Sequence, residues 1–461
     1  MKSMKRILAL GLSAAMILSL AACGNKTAPA ATADAPAGET AVAPSEETRT
    51  IRIGTWYDHY YDSTHQTIED DPNLDNVEKA EMRLNKVREL EEKYNVKIEW
   101  VNLTWEGIQE SINTSILAGS PDVDIYESDL QFGIPASLNG YATDLKTVLP
   151  ETSDVLNDQV VMKYLDINTD GVYLFKPVDA AGTIEATYPL AFNKQMLDEA
   201  GLEDPRALYE RGEWTWDKFK EYMIALTQDT NGDGVTDVYG FGSDYQNLLT
   251  GLMMGNGTYI AANETENLSS PEVGEVLSYM YDMYNVDKCA YPWYVDDFDT
   301  NRLWYKDGLV AFWVTAAWIM DSNEDDTLEF EVCMVPWPVG PSGNAETNTS
   351  KIVAGNFYFI PTGVENPELV YQVFYEYNNW YNDDLTIRDD EDSLTWWKDS
   401  VISEENYEVM ELLGQKEQFE LWNSLGVNID IESLVLGEMT PAQVQETYKQ
   451  PLQDALNVYF K

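Results

Sequence analysis

The feature that most constrains this chain lies near residue 50, where a period-two run gives way to a helical period and then returns. In "RTIRIGTW", Ile51 and Ile53 alternate with Arg52 and Gly54, the pattern of a half-buried strand. "NVEKAEMRLNKVRELEEKY" then places Val77, Ala80, Leu84, Val87 and Tyr94 at helical spacing, and in "NVKIEWV" Val96, Ile98 and Trp100 share one face of a strand. Strand, helix, strand is a parallel α/β unit. "WEGIQESINTSILAGSPDVDIYESD" repeats it as an amphipathic helix, a Gly-Ser-Pro break and a strand at "DVDIY".

The alternation continues downstream. "YPLAFNKQML" reads as strand into helix, and "TWDKFKEYMIALTQ" as a helix with Thr215 at its N-cap and Trp216, Phe219, Met223 and Leu226 on its apolar face. "GLVAFWV" is a buried strand and "PELVYQVFYEYNNWY" another amphipathic helix. A body from about residue 50 to 461 is too long for one small domain, so two α/β lobes are expected.

The residues before this body point outside the cell. "MKSMKR" is basic, "ILALGLSAAMILSL" is apolar, and "LAAC" ends on Cys23, so residues 1–22 read as a secretory signal rather than a membrane span. L-A-A-C is similar to a lipobox, in which Cys23 carries lipid; ordinary cleavage after "SLAA" is the alternative. Residues 23–49 are rich in Ala, Pro and Thr and cannot bury a core. As a flexible tether they would reach roughly 30 Å. No later stretch is long enough to span a bilayer. With 80 acidic against 29 basic residues the chain carries −51, a field that repels phosphate backbones and excludes nucleic acid as a partner.

Metal and thiol chemistry leave few candidates. His59 and His65 are the only histidines, so no zinc-type Cys/His cluster exists. Cys289 and Cys333 suit either a disulfide or two buried thiols. "DTNGDGVTDVYG" is different: Asp229, Asn231, Asp233 and Asp237 occupy positions 1, 3, 5 and 9 of a calcium loop, with Gly234 at the sixth and the Val235 backbone at the seventh. Position 12 is Gly240 where a sensor loop needs a bidentate Glu, so a structural calcium ion or a solvated Asx-turn is expected. "DINTDGVYLF" starts alike at Asp166, Asn168 and Asp170 but has Leu174 at its ninth position, and reads as a turn.

Four pieces in order carry a resemblance: "ILAGSPDVDIYESD"; "YPLAFNKQMLDEAGLEDP" followed by "WTWDKFKEYMIALT"; "WYKDGLVAFWVTAAW"; and "VPWPVGPSGN" followed by "AGNFYFIPTGVENPELVYQVF". The chain resembles the extracellular solute-binding proteins of ABC importers, in the maltose and multiple-sugar branch. The resemblance implies an α/β, two-lobe periplasmic-binding-protein-like fold of class II, with a ligand cleft between lobes joined by crossing strands. It divides the body into residues 50–187 plus about 356–400, and 188–355 plus about 401–461. It also implies a monomer on the outer face of the cell membrane, lipid-anchored as in a Gram-positive bacterium. Its ligand would be a sugar, its partners the ABC permease subunits, and its calcium structural.

A sugar offers C–H faces to aromatic rings and hydroxyl edges to carboxylates and amides. Trp56 and Tyr57, with Tyr60 and Tyr61, follow the first strand. The resemblance assigns Tyr126, Glu127 and Asp129 to the family's aromatic-x-x-Asp contacts and Trp318 to its stacking tryptophan. Asn356, Phe357 and Tyr358 lie in the crossing stretch "AGNFYF", while Tyr188 and Trp313 suit core or cleft equally. A binding protein is therefore expected, not an enzyme. A glycosidase would need two carboxylates about 5–9 Å apart in one cleft, and no nucleophile motif accompanies any such pair. A receptor for a membrane sensor kinase would use the same fold and site.

Overall fold

The computed structural model describes residues 48–72, 74, 76–157, 171–176, 188–292, 304–316, 320, 328, 330–345, 350–351, 357–388, 401, 403–414, 417–418 and 420–460. The signal segment, Cys23, nearly all of the tether, Asp166 to Asp170, Trp318 and Asn356 lie outside them. In chain order the strands are β1 (Arg49–Thr55), β2 (Val96–Asn102), β3 (Ile125–Ser128), β4 (Leu190–Asn193) and β5 (Tyr239–Phe241). They continue with β6 (Val310–Val314), β7 (Val332–Val335), β8 (Ser350–Lys351), β9 (Phe357–Phe359) and β10 (Glu417–Gln418). One sheet has the order β2-β1-β3-β9, a second β5-β6-β4-β7, and β8 pairs with β10.

The first sheet follows from the βαβ grammar. β1 runs parallel to β2, with Ile51 opposite Ile98, and parallel to β3, with Ile53 opposite Ile125. These isoleucines are buried with Leu90, Val370 and Phe374, where the helices Val77–Tyr94 and Pro367–Asn378 pack against each other. Each such side chain contributes roughly 1.5–3 kcal/mol on burial. Asn76 caps the first helix by accepting from the Lys79 amide, and Asn95 ends it in the left-handed region at φ 51°. Val77, expected on the apolar stripe, is 55% exposed at the first position of the helix.

β9 returns from the second sheet and pairs antiparallel with β3, Tyr126 opposite Phe359 and Ser128 opposite Phe357. This pairing moves the strand expected at "DVDIY" forward, so that Tyr126, Glu127 and Ser128 lie inside the sheet and are fully buried.

In the second sheet β4 is central, antiparallel to β6 and β7, while β5 runs parallel to β6. Phe192, Phe312, Phe241, Phe219 and Trp214 fill one face, with Phe219 edge-on to Phe312 at 5.2 Å. Thr215 caps the helix Trp216–Leu226 as its sequence predicts. Gly240 lets β5 approach that helix: a Cβ there would lie 2.1 Å from the Met223 carbonyl oxygen. The chain's last segment touches both halves. The turn Trp422–Leu425 packs on the helix Leu130–Leu138, and the helix Pro441–Tyr459 on Pro271–Asn285. Among the described residues no helix is long and apolar enough to cross a membrane.

Candidate functional site

In open parallel sheets the ligand crevice lies outside the carboxyl ends of the strands. Here β1 runs out into Trp56, β2 into the helix Trp105–Ser115, and β3 into Asp129 and the helix Leu130–Leu138. These exits bring three rings together. Trp56 meets Trp105 edge to face, centroids 5.2 Å apart at 88°, and Trp105 meets Phe132 at 4.8 Å and 57°. Trp56 and Phe132 are half-buried, whereas Trp105 and the neighbouring Tyr57 are each 38% exposed.

Backbone and polar contacts fix this wall. The Leu103 amide donates to the Thr55 carbonyl at 2.8 Å, joining the exits of β1 and β2. The Thr104 amide donates to Asn102 Oδ1 at 3.0 Å, and Asn102 Nδ2 donates to Asp58 Oδ1 at 2.9 Å, tying the second exit to the first. Thr104 Oγ1 accepts from the Gly107 amide as the helix cap.

Tyr57 opens a second row of rings. Its ring lies 4.6 Å from His59, and His59 stacks on Trp100 at 4.0 Å and 14°. Trp100 Nε1 donates to the Tyr377 hydroxyl at 3.1 Å. Burial first, and the Arg83 guanidinium second, push the His59 imidazole down to about 4, against the pull of Asp58. The loop carrying these rings is pinned along β2. The Ser63 amide donates to the Ile98 carbonyl at 2.9 Å, and Asp62 Oδ2 accepts from the Trp100 amide at 3.0 Å. His65 Nδ1 lies 2.8 Å from Asp62 Oδ1, so the second histidine is part of this pin.

Of the expected contacts, Trp56 and Tyr57 stand on this wall. Glu127 is fully buried beneath it and accepts from the Tyr57 hydroxyl at 3.0 Å. Asp129, half-buried, caps the helix Leu130–Leu138 and accepts from the Gln131 amide at 3.0 Å. Tyr188 is half-buried before β4, its carbonyl accepting from Trp337 Nε1 at 2.8 Å.

Three expected contacts are corrected, Glu127 among them because it is fully buried, and the open choice at Trp313 falls to the core. Tyr126 is fully buried, its hydroxyl 2.6 Å from Ser111 Oγ and 3.0 Å from Ser115 Oγ, its ring stacked on Phe359; pairing of β3 with β9 draws it into the core. Phe357 is fully buried within β9, under the Lys176 ammonium. Trp313 is 2% exposed and stacks on Tyr305 at 4.4 Å and 5°, on the face of β6 that meets Met334 and Met410. Trp105 and Phe132 were not legible as site residues: each is one aromatic at a helix start, which in a sequence looks like core.

The acidic loop is exposed. Asp229 accepts from the Gly232 and Gly234 amides at 2.7 and 2.8 Å, Asp233 from Val235 at 2.8 Å, and Asp237 from Thr230 at 2.7 Å. Asn231 accepts from the Asp233 amide at 2.9 Å. Gly232 and Gly234 take φ of 78° and 88°, which only glycine adopts without strain. The oxygens thus turn onto the loop's own amides, and among the described residues no three His, Cys, Asp or Glu gather as a metal cluster. Cys289 and Cys333 are free, buried thiols, pushed up to about 12 chiefly by burial, so the disulfide alternative falls away.

No curated protein matches this sequence. Solved structures of similar fold include an ABC substrate-binding protein from Listeria monocytogenes in complex with cycloalternan, 15% identical with a TM-score of 0.61, covering 90% of this chain and 100% of that one. The GacH receptor of Streptomyces glaucescens, solved unliganded and with acarbose, is 17% identical with a TM-score of 0.61 and the same coverages, 90% and 100%. UgpB from Mycobacterium tuberculosis in complex with glycerophosphocholine is 16% identical with a TM-score of 0.57, covering 82% of this chain and 97% of that one. The two sheets, with β9 crossing back to β3, are the two-lobe periplasmic-binding-protein-like fold. The bacterial extracellular solute-binding protein family model matches residues 86–379, and this chain belongs to that family.

Proposed function

We propose that this protein captures a carbohydrate, of oligosaccharide size, and delivers it to an ABC importer at the outer face of the cell. The observation that carries the reading is the aromatic wall at the carboxyl ends of β1 to β3, with the exposed rings of Trp105 and Tyr57 and the accessible carboxylates of Asp58 and Asp129. Rings take the C–H faces of a sugar, and carboxylates take its hydroxyls through charge-assisted bonds. Cycloalternan and acarbose in two of the structural neighbours support the same choice. Glycerophosphocholine in a third shows that the fold alone does not select the ligand. A phosphodiester would call for a cation, and the side chains at this wall are acidic or neutral among the described residues.

In this reading the lobes are residues 50–187 with about 356–400, and 188–355 with about 401–461, and Trp318 stacks on the ligand from the second lobe. Pairing of β9 with β3, and of the helix Glu404–Gly414 with β7, supports the division. The body works as a monomer tethered through lipid on Cys23, as on a Gram-positive cell, and turns nothing over. Hard oxygen donors on a tight loop suit calcium, which would clamp residues 229–237 as a staple away from the wall.

A thermal-shift screen of neutral mono- and oligosaccharides tests the proposal. A ligand at 100 times its Kd stabilises by about 2.7 kcal/mol, a shift that is read directly. No shift with any sugar, or sustained release of reducing ends from one, would reject it.

A further inference from the structure

We propose that Thr104 is a positioning residue that holds Trp105 as the exposed stacking ring of the solute site, an inference that rests on the carbohydrate reading above. Thr104 has φ 64° and ψ 164°. That region is essentially reserved for glycine, and a β-branched side chain fits it worst. The surroundings over-determine it. Its amide donates to Asn102 Oδ1 at 3.0 Å, its Oγ1 accepts from the Gly107 amide at 3.2 Å, and the preceding Leu103 amide donates to the Thr55 carbonyl at 2.8 Å. Gly54 makes the approach possible, because a Cβ there would come within 2.8 Å of Leu103 Cδ1.

The result of this turn is the placement of one ring. The helix begins at Trp105, and the indole stands edge-on to Trp56 at 5.2 Å, braced on its other side by Phe132 at 4.8 Å. Despite two ring neighbours it remains 38% exposed. A strained backbone and an exposed indole both work against stability, so the cap and ring contacts that hold them are maintained at a cost to the fold. Strain of this kind persists where it serves a site. Tyr126, which the family resemblance assigns to an aromatic ligand contact, is fully buried here, with its hydroxyl held by Ser111 and Ser115. Trp105 furnishes the ring at the same end of the same sheet. Asp58 and Asn102, bonded to each other at 2.9 Å, border it with groups that suit sugar hydroxyls.

The experiment pairs Thr104→Gly with Trp105→Ala and Trp105→Tyr in the full chain. Glycine accepts the backbone angles, so Thr104→Gly melts at the wild-type temperature or above it, yet frees the turn. The exciton couplet of the Trp56–Trp105 pair in circular dichroism is expected to weaken in Thr104→Gly as it does in Trp105→Ala. Affinity for whichever of maltotriose, mannotriose or cellotriose the wild type binds falls at least tenfold in Thr104→Gly and Trp105→Ala, and Trp105→Tyr recovers most of it. An unchanged couplet in Thr104→Gly, or unchanged affinity in Trp105→Ala, overturns the inference. A wild type that binds no sugar of the thermal-shift screen rejects the carbohydrate reading instead, and the couplet alone then decides the role of Thr104.

Discussion

The phenol of Tyr57 donates to Oε1 of Glu127 across 3.0 Å, so an exposed ring at the end of β1 covers a carboxylate that is fully buried in β3. Removing one partner from a buried polar group costs about 1–3 kcal/mol. Tyr57→Phe keeps the ring beside His59 and removes only the donor. Its stability in urea is expected to fall by about 1.5 kcal/mol, towards the low end of that range, because Glu127 has further partners. Sugar affinity falls further in Tyr57→Ala, which also loses the ring. A Tyr57→Phe midpoint equal to wild type would mean that the hydroxyl does not hold the carboxylate.

His59 gives the protein a pH dependence whose sign can be worked out. Burial, then Arg83, lower its pKa from 6.5 to about 4, so between those values the unfolded chain binds a proton that the native ring refuses. Stability is therefore fully present above pH 6.5 and is lost as pH falls towards 4, by at most about 3 kcal/mol. Glu420 works in the opposite sense. It is raised to about 7 by burial, against the amides of Ile260, Trp422 and Ala261, so its contribution is present below pH 4.5 and lost as pH rises through 7. His59→Phe keeps a ring on Trp100 and removes the first titration. Its melting temperature is expected to fall less than wild type between pH 6.5 and 4.5. Parallel curves for the two proteins would place the titrating group elsewhere.

The elements were legible where the pattern is local. Ile51 and Ile53, the helix that follows them, and the Thr215 cap are set by neighbours within a turn or two, and all appear as expected. The site was less legible because its geometry comes from non-local pairing. β3 is four buried residues with no alternation to mark its end; that end is set by β9, far along the chain, and the pairing draws Tyr126 into the core. Trp313 lies in a wholly buried run, where nothing in the residues tells core from cleft. Trp105 earns its exposure from an unusual φ at Thr104, an angle that no residue pattern announces.

Calcium at residues 229–237 should act on stability alone. The loop is exposed and follows the helix Trp216–Leu226, while the aromatic wall belongs to the exits of β1 to β3. Chelation, or Asp233→Ala, is expected to lower the melting temperature and leave sugar affinity within about twofold, well under the 1.4 kcal/mol of one decade. Calcium that raised the melting temperature of Asp233→Ala as much as that of wild type would place its site elsewhere. An affinity that followed free calcium would make the loop a sensor.

The wall should also discriminate by charge. Asp129 caps the helix after β3, and Asp58 is held by Asn102 at the exit of β1. The guanidinium of Arg83, which acts on His59, lies over the Trp380 ring at 4.6 Å, a contact that leaves its charge to offset part of this field. An anionic group about 6–16 Å from one of these carboxylates meets a repulsion of about 1–3 kcal/mol at an effective dielectric near 20. That corresponds to a tenfold to hundredfold loss of affinity. A neutral trisaccharide is therefore expected to bind at least tenfold more tightly than the same sugar carrying a phosphate, in titrations at equal ionic strength. Asp129→Asn keeps an oxygen that can cap the helix and removes one charge, so it should narrow the gap with little change in melting temperature. Equal affinity for the neutral and phosphorylated sugars would show that these carboxylates do not face the ligand.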